Sequence, residues 1–232
     1  MTNPLSGAAI LGIGIALSGL FIGQGFVTAR NNLKSVEVKG LAEKIVKANE
    51  AVWNINLKVV NNDMGELYRE ISRVQDSSKK FLTAQGFQEN EISMNPISVM
   101  DNQSVSYNQN KDIPRYSADL GLNVSSNKVD EIAKGLQKTG ELVQQGIVVT
   151  SSNANYRFTN LNSIKPKMLE EATKSARVAA ERFASDAKTN LAGIRHASQG
   201  LFTISDANSN FDSGTAIYKK VRIVTTIEYQ LS

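Results

Sequence analysis

The N-terminal 29 residues of this 232-residue chain contain no Asp, Glu, Lys, Arg or His. From residue 5 to residue 27, all but three residues are apolar or small. A helix over this stretch reaches roughly 34 Å, enough to cross a hydrocarbon core of about 30 Å. We therefore predict a transmembrane helix over residues 5–27 that is retained as an anchor. The alternative is a signal peptide cleaved after Ala29. A signal peptide has a basic segment before its apolar run, however, and here no Lys or Arg precedes that run.

Small residues recur four positions apart within this stretch. Gly12 and Ala16 form one such pair, and Gly19 and Gly23 form another. Small side chains at this spacing let helix backbones approach closely in lipid, where packing drives association. We expect these four residues to form a helix-packing face in the membrane. The alternative is that the glycines reflect only the general abundance of glycine in membrane spans.

The composition of the chain excludes several kinds of chemistry. There is no cysteine and only one histidine, His196, so disulfides, thiolate sites and multi-histidine metal sites are excluded. No glycine-rich phosphate loop or nucleophile elbow occurs, and we predict no enzymatic activity, no catalytic residue, no metal site and no cofactor. The net charge of +4 is mild, and the basic pairs Lys79-Lys80 and Lys219-Lys220 are not interleaved with aromatic residues. We predict a solvated surface for these lysines, a surface or hydrogen-bonded His196, and no nucleic-acid binding.

Alternation of apolar and polar residues predicts β-strands through most of the body. The clearest case runs from Trp53 to Val59, where the apolar residues share one face, and Trp53 is expected in the core. A strand bent at Pro96 is expected to pair with the strand over 116–124 across a polar loop at 101–115. The predicted strands lie at residues 36–40, 53–59, 92–100, 116–124, 147–149, 155–158, 194–204 and 221–231.

Three segments carry helical spacing instead. The first begins at Asp63 with Glu66 three residues later, as in a capping box, and runs to Gly86 with Ser78 interrupting its apolar stripe. The second runs over 128–139, begins at Asn127 and is ended by Gly140. The third runs over 166–189 with Pro166 in its first turn and an alanine-rich face that implies close packing. The fold class is therefore α+β: an N-terminal transmembrane helix over 1–29, then a body over 30–232 of largely antiparallel sheet backed by helices.

The order of these elements resembles that of the SIMPL-domain family. The resemblance covers nearly everything after residue 34. It rests on 36–40 (VEVKG), 48–59 (ANEAVWNINLKV), 85–92 (QGFQENEI), 116–124 (YSADLGLNV), the alanine-rich segment 172–187 with Gly193-Ile194, and the closing strand 221–231.

The resemblance implies an envelope protein without an established reaction, linked to envelope integrity or stress tolerance and in some members to ring-shaped homo-oligomers. It also implies a periplasmic body on a single-pass inner-membrane anchor, whereas Arg30 and Lys34 after the span weakly favour a cytoplasmic one. Our leading hypothesis is a non-enzymatic protein that contacts membrane lipid through residues 5–27 and assembles into a homo-oligomer. Exposed strand edges at Val36–Gly40 or Val221–Leu231 are the expected contacts. The alternative is a monomeric periplasmic module that binds a small ligand, of chemistry left open, or a partner protein.

Overall fold

The computed structural model describes residues 4–31, 34–105 and 113–232 and has an α+β fold with antiparallel sheets and helices. Its Cα positions divide the chain into two compact units. Unit 1 contains residues 1–44, 164–203 and 222–232, and unit 2 contains residues 45–163 and 204–221. Both units are built from separated pieces of the chain. The predicted single domain over 30–232 stays a prediction.

The chain begins with helix α1 (Pro4–Asn31). Among the helices that the structure describes, none combines the length and the apolar character that crossing a membrane requires. The transmembrane helix predicted over residues 5–27 is therefore not confirmed.

The last strand of the chain pairs with the first strand after α1. Strands β1 (Ser35–Lys47), β9 (Tyr218–Leu231) and β7 (Leu191–Gln199) lie in the order β1-β9-β7, and β8 (Thr203–Asp206) also pairs with β9. The edge predicted at Val221–Leu231 is wrong, because β9 has a strand on each side. β1 and β7 are the outer strands of this path in the described part of the chain.

In unit 1, helix α6 (Lys165–Asp186) packs its alanines against the sheet. Pro166 lies in its first turn, as predicted. A Cβ on Gly40 would overlap the carbonyl oxygen of Ala172 and lie 2.7 Å from the backbone nitrogen of Ala176. The small residues thus allow close contact between helix and strand. The buried alanines of α6 are Ala172, Ala176, Ala180 and Ala184, whereas Phe183 and Ala187, predicted on the same face, are exposed.

Unit 2 contains a five-stranded antiparallel sheet in the order β3-β5-β2-β6, with β4 also pairing with β5. Its helices α2, α4 and α5 contact this sheet, and one continuous apolar core lies in the unit. The elements are β2 (Glu50–Asn61), α2 (Met64–Ala84), β3 (Ile92–Met94), β4 (Ser98–Asp101), α3 (Asn102–Val105), β5 (Tyr116–Ser126), α4 (Val129–Gln137), α5 (Gly140–Gln144) and β6 (Val148–Arg157).

Trp53 lies at the centre of this core, as predicted, and its side chain is fully buried. Its indole Nε1 donates to Ser152 Oγ over 2.9 Å, which satisfies the one polar atom of the ring. Phe81 and Phe87 meet the indole edge to face, each with ring centroids 6.2 Å away. The alternation read from Trp53 to Val59 therefore places these apolar side chains on the buried face.

Several predicted boundaries are confirmed and others are wrong. Asp63 is the N-cap of α2 and accepts from the Glu66 backbone N–H over 2.9 Å, as predicted. Pro96 separates β3 from β4, and both pair with β5. Gly140 does not end a helical region but begins α5, and the two strands predicted at 147–158 are one strand, β6. Of the predicted loop at 101–115, residues 106–112 lie outside the described residues, whereas Asp101 ends β4 and Asn102–Val105 form α3.

Candidate functional site

The four small residues predicted to pack in the membrane lie in α1. Gly12, Ala16, Gly19 and Gly23 are all exposed. A Cβ built on any of the three glycines meets no atom within 4 Å. The side chain of Ser18 bonds locally, donating to the Gly14 carbonyl oxygen over 2.8 Å. Nothing in the described residues packs on this face, so its role in helix association stays a prediction.

Strand β7 presents an open edge. It pairs with β9 on one side, and its residues from Ala192 to Gln199 are exposed on both faces. Its one large apolar residue in that stretch, Ile194, is 56 % exposed. The register is irregular between residues 191 and 196 and becomes regular over His196–Gln199.

The regular part of β7 has backbone donors that point away from the sheet. Gly200 N–H donates inward to the Val224 carbonyl oxygen over 2.9 Å. Because inward and outward groups alternate along an antiparallel strand, the N–H of Ala197 points to the outer edge. This edge can accept a further strand.

His196 is exposed in β7 opposite Glu228, consistent with the predicted surface histidine. Its neighbour Arg195 forms an ion pair with Glu228 over 3.4 Å. The described residues contain no group of three or more His, Cys, Asp or Glu side chains that could hold a metal ion.

Unit 2 contains a buried ion cluster around Lys219. The Lys219 side chain is 0 % exposed, and its Nζ donates to Asp206 Oδ1 over 2.7 Å and to Asp212 Oδ1 over 2.6 Å. Ser213 donates to Asp206 Oδ2 through its backbone N–H over 3.0 Å and through its hydroxyl over 2.5 Å. The hydrogen bonds from Lys219 and Ser213 hold the pKa of Asp206 well below its usual range. Burial opposes the charge of Lys219, but its two carboxylate partners raise its pKa above the ordinary value.

This cluster fastens the loop that precedes β9. The loop also accepts two backbone hydrogen bonds, from Ala48 N–H to Ile217 O over 2.8 Å and from Tyr156 N–H to Gly214 O over 2.6 Å. The prediction that the pair Lys219-Lys220 is solvated is wrong for Lys219. Lys219 is two residues before the inward-facing Val221, so the alternation of β9 already placed it on the buried face. The carboxylates of Asp206 and Asp212 pair the buried ammonium of Lys219, which is how a folded protein accommodates a buried charge.

Two adjoining surface depressions lie on α2 and the segment after it. Their volumes are about 680 and 350 Å³, and both are lined by Lys79, Thr83 and Glu89. Asp76, Lys80 and Ala84 complete the lining of the first, and Ile92 and Met94 that of the second. The lining combines both signs of charge with some apolar surface, so it favours no single ligand class.

A comparison with known families identifies the chain's family. The family model of SIMPL, described as a protein of unknown function (DUF541), matches residues 36–221. The chain belongs to the SIMPL family, and the resemblance drawn from the sequence is confirmed. No curated protein matches the chain.

Proposed function

We propose that this SIMPL protein is a non-enzymatic envelope protein that assembles into a homo-oligomer through the outer edge of β7. The observation that carries the proposal is that, among the described strands, β7 pairs on one side only and both its faces are exposed. Unpaired edge strands tend to add a strand from another chain, and natural proteins usually protect them. The irregular register before His196 protects part of β7, but the stretch His196–Gln199 has neither a lysine nor a proline.

The second outer strand of the same sheet supports a head-to-tail assembly. The outer edges of β1 and β7 are different surfaces of the protein. Contact between β1 of one copy and β7 of the next is therefore heterologous. Such contacts form a closed ring if the rotation between neighbouring copies permits it. The edge predicted from the sequence at Val36–Gly40 lies in β1. The small residues of α1 would add a weaker contact, of about 1–2 kcal/mol or less in lipid.

The proposal includes an inner-membrane anchor with the body in the periplasm. The uncharged run over residues 5–27 supports the anchor. The periplasmic side and a role in envelope integrity or stress tolerance rest on the SIMPL resemblance. N-terminal sequencing of the protein from membranes tests the anchor, and a mature chain that begins at Arg30 would contradict it. Protease treatment of spheroplasts tests the orientation, and a body protected from external protease would contradict it.

Light scattering of the full-length protein and of a chain that begins at Arg30 tests the assembly. We expect both to be oligomeric, the shorter one more weakly. Ala197→Pro should dissociate the oligomer, because proline removes an outward donor without breaking a bond to β9. Ala197→Thr is the matched control, since it keeps the N–H and suits a strand, and it should assemble normally.

A shorter chain that is monomeric at tens of micromolar, or an Ala197→Pro variant that is folded and fully assembled, would contradict the proposal. The first result favours the alternative, a monomeric periplasmic module that binds a small ligand or a partner protein. The two adjoining depressions at Lys79 and Glu89 are the observation in favour of that alternative.

A further inference from the structure

One face of the unit 2 sheet carries rows of uncharged amide side chains. Asn54 on β2 lies directly opposite Asn123 on β5 and directly opposite Asn153 on β6. Since paired residues share a face, these three carboxamides form one row across three strands. Asn56 belongs to the next row and lies opposite Ser151. This amide face, defined by these five residues and by Asn95 described below, is opposite the apolar face that carries Trp53 and Ile55.

The amide face has both connected and unused hydrogen-bonding groups. Asn123 Nδ2 donates to Asn95 Oδ1 over 2.8 Å, and Asn56 Nδ2 donates to Ser151 Oγ over 2.8 Å. Within the described residues, the carboxamides of Asn54 and Asn153 have no hydrogen-bond partner on the protein. Neither side chain is buried, so donors and acceptors at the centre of the face are available to a ligand.

The asparagines and the glycine of the amide face are not the residues expected on a strand face that only contacts water. Asparagine is depleted in strands, and threonine gives a polar face at less cost in stability. Gly121 in β5 is also unfavourable for a strand, and a Cβ there would lie 2.5 Å from Asn95 Nδ2. The absence of a side chain at Gly121 therefore leaves room for the carboxamide of Asn95 on this face. Departures from local preference are expected at functional sites.

The charge of the face limits which ligand it suits. The charged residues Lys58 and Asp119, at its margin, are within 3.6 Å of each other. Among the described residues, Lys58 and Arg157 share this sheet face and each is paired with a carboxylate, so the face does not match a nucleic acid. The exposed apolar side chains on the same side of the sheet lie in or beyond the row of Lys58, outside the amide rows: Val60, Met100 and Val148. A carboxamide offers two donors and an acceptor oxygen, which matches hydroxyl groups that both donate and accept. The row advances by about 4.8 Å per strand, close to the length of one sugar ring.

We propose that the amide face binds a neutral oligosaccharide that lies across β5, β2 and β6. Asn54 and Asn153 contact its hydroxyl groups directly. This site is separate from the β7 edge and goes beyond the proposed assembly.

Calorimetric titration of the full-length protein tests this site, in a detergent without a sugar headgroup. The probes are cellotetraose and a β-1,4-linked N-acetylglucosamine tetramer, with an extended uncharged peptide for comparison. We expect saturable binding of at least one oligosaccharide. Asn54→Thr and Asn153→Thr should each weaken it about fivefold or more, as expected for a lost hydrogen bond, while thermal stability is unchanged or increased.

Asn127→Thr is the matched control, since Asn127 is an exposed asparagine outside the strands and should not affect binding. No oligosaccharide binding up to millimolar concentration would overturn the proposal. Binding that Asn54→Thr and Asn153→Thr leave unchanged, or binding of the peptide alone, would overturn it as well. Light scattering distinguishes a failure of the oligosaccharide site from a failure of the proposed assembly. The Asn54→Thr and Asn153→Thr variants should stay oligomeric, and the Ala197→Pro variant should keep oligosaccharide binding.

Discussion

Replacing Ser78 with alanine should stabilise unit 2. Ser78 lies in α2 within the apolar stripe, its side chain is 1 % exposed, and within the described residues its hydroxyl oxygen has no hydrogen-bond partner. A buried hydroxyl without a partner costs about 1–3 kcal/mol of desolvation. Alanine removes that cost, leaves nearly the same volume and is the better helix former by about 0.5 kcal/mol. We expect the free energy of unfolding to rise by about 2 kcal/mol.

Urea unfolding followed by circular dichroism measures this change. With a slope of about 2 kcal/mol per molar urea, the midpoint of the transition should rise by about 1 M. Ser72→Ala on the same helix is the matched control. The Ser72 hydroxyl is exposed and donates to the Tyr68 carbonyl oxygen over 3.2 Å, so this variant reports mainly the helix preference.

The difference between the two variants isolates the buried hydroxyl. If Ser78→Ala gains no more than Ser72→Ala, the hydroxyl of Ser78 is not an uncompensated group. If Ser78→Ala destabilises the protein, Ser78 makes a hydrogen bond that matters for stability. Either result would refute the reasoning.

Two further predictions concern packing and pH. Gly40→Ala should lower the free energy of unfolding of unit 1 by about 3 kcal/mol, because the new methyl group meets backbone atoms of α6 that cannot move aside. Gly140→Ala, where a Cβ meets no atom within 4 Å, is the control in urea unfolding, and an equal effect of both would contradict the clash. Burial opposes the ionisation of Glu91, but hydrogen bonds from Gln88 N–H, the Ser126 hydroxyl and the Lys128 ammonium outweigh it and lower its pKa to about 2. Because the folded pKa is below the ordinary 4.5, Glu91 stabilises the protein above about pH 4.5, and this contribution is lost as the pH falls toward 2. Glu91→Gln should flatten that part of the stability profile in urea titrations at successive pH values, and an unchanged profile would contradict this role.

Local patterns predicted the elements best where one face is buried. The alternation in β2 and the Asp63 N-cap of α2 depend on residues within one turn or one strand, so they can be read directly. The alanine face of α6 was predicted only in part. Phe183 has the helical spacing of the buried alanines, but its side chain is exposed beside the stripe that packs on the sheet. The width of a buried stripe is set by what packs on it, which periodicity does not contain.

The candidate surfaces were harder to predict. The last strand, which carries Ile223 and Ile227, was expected as an open edge, but it pairs on both sides, and β7 is the outer strand. Strand order depends on contacts between distant segments, and no local pattern encodes it. The amide face was also missed, although Asn54 and Asn56 were assigned to the polar side of their strand, because Asn123 and Asn153 reach them only through pairing.

The sequence determined the α+β class, the inward and outward sides of strands with one buried face such as β2, and part of the alanine-lined contact of α6. These follow from the two-residue and 3.6-residue periods, which constrain each side chain relative to its own backbone. The family was identified from the order of its motifs along the chain. The tertiary structure decided which strands are neighbours, which edge is open and where the buried charge of Lys219 finds Asp206 and Asp212. Those outcomes depend on long-range pairing, where burial of apolar surface and satisfaction of polar groups are optimised over the whole chain at once.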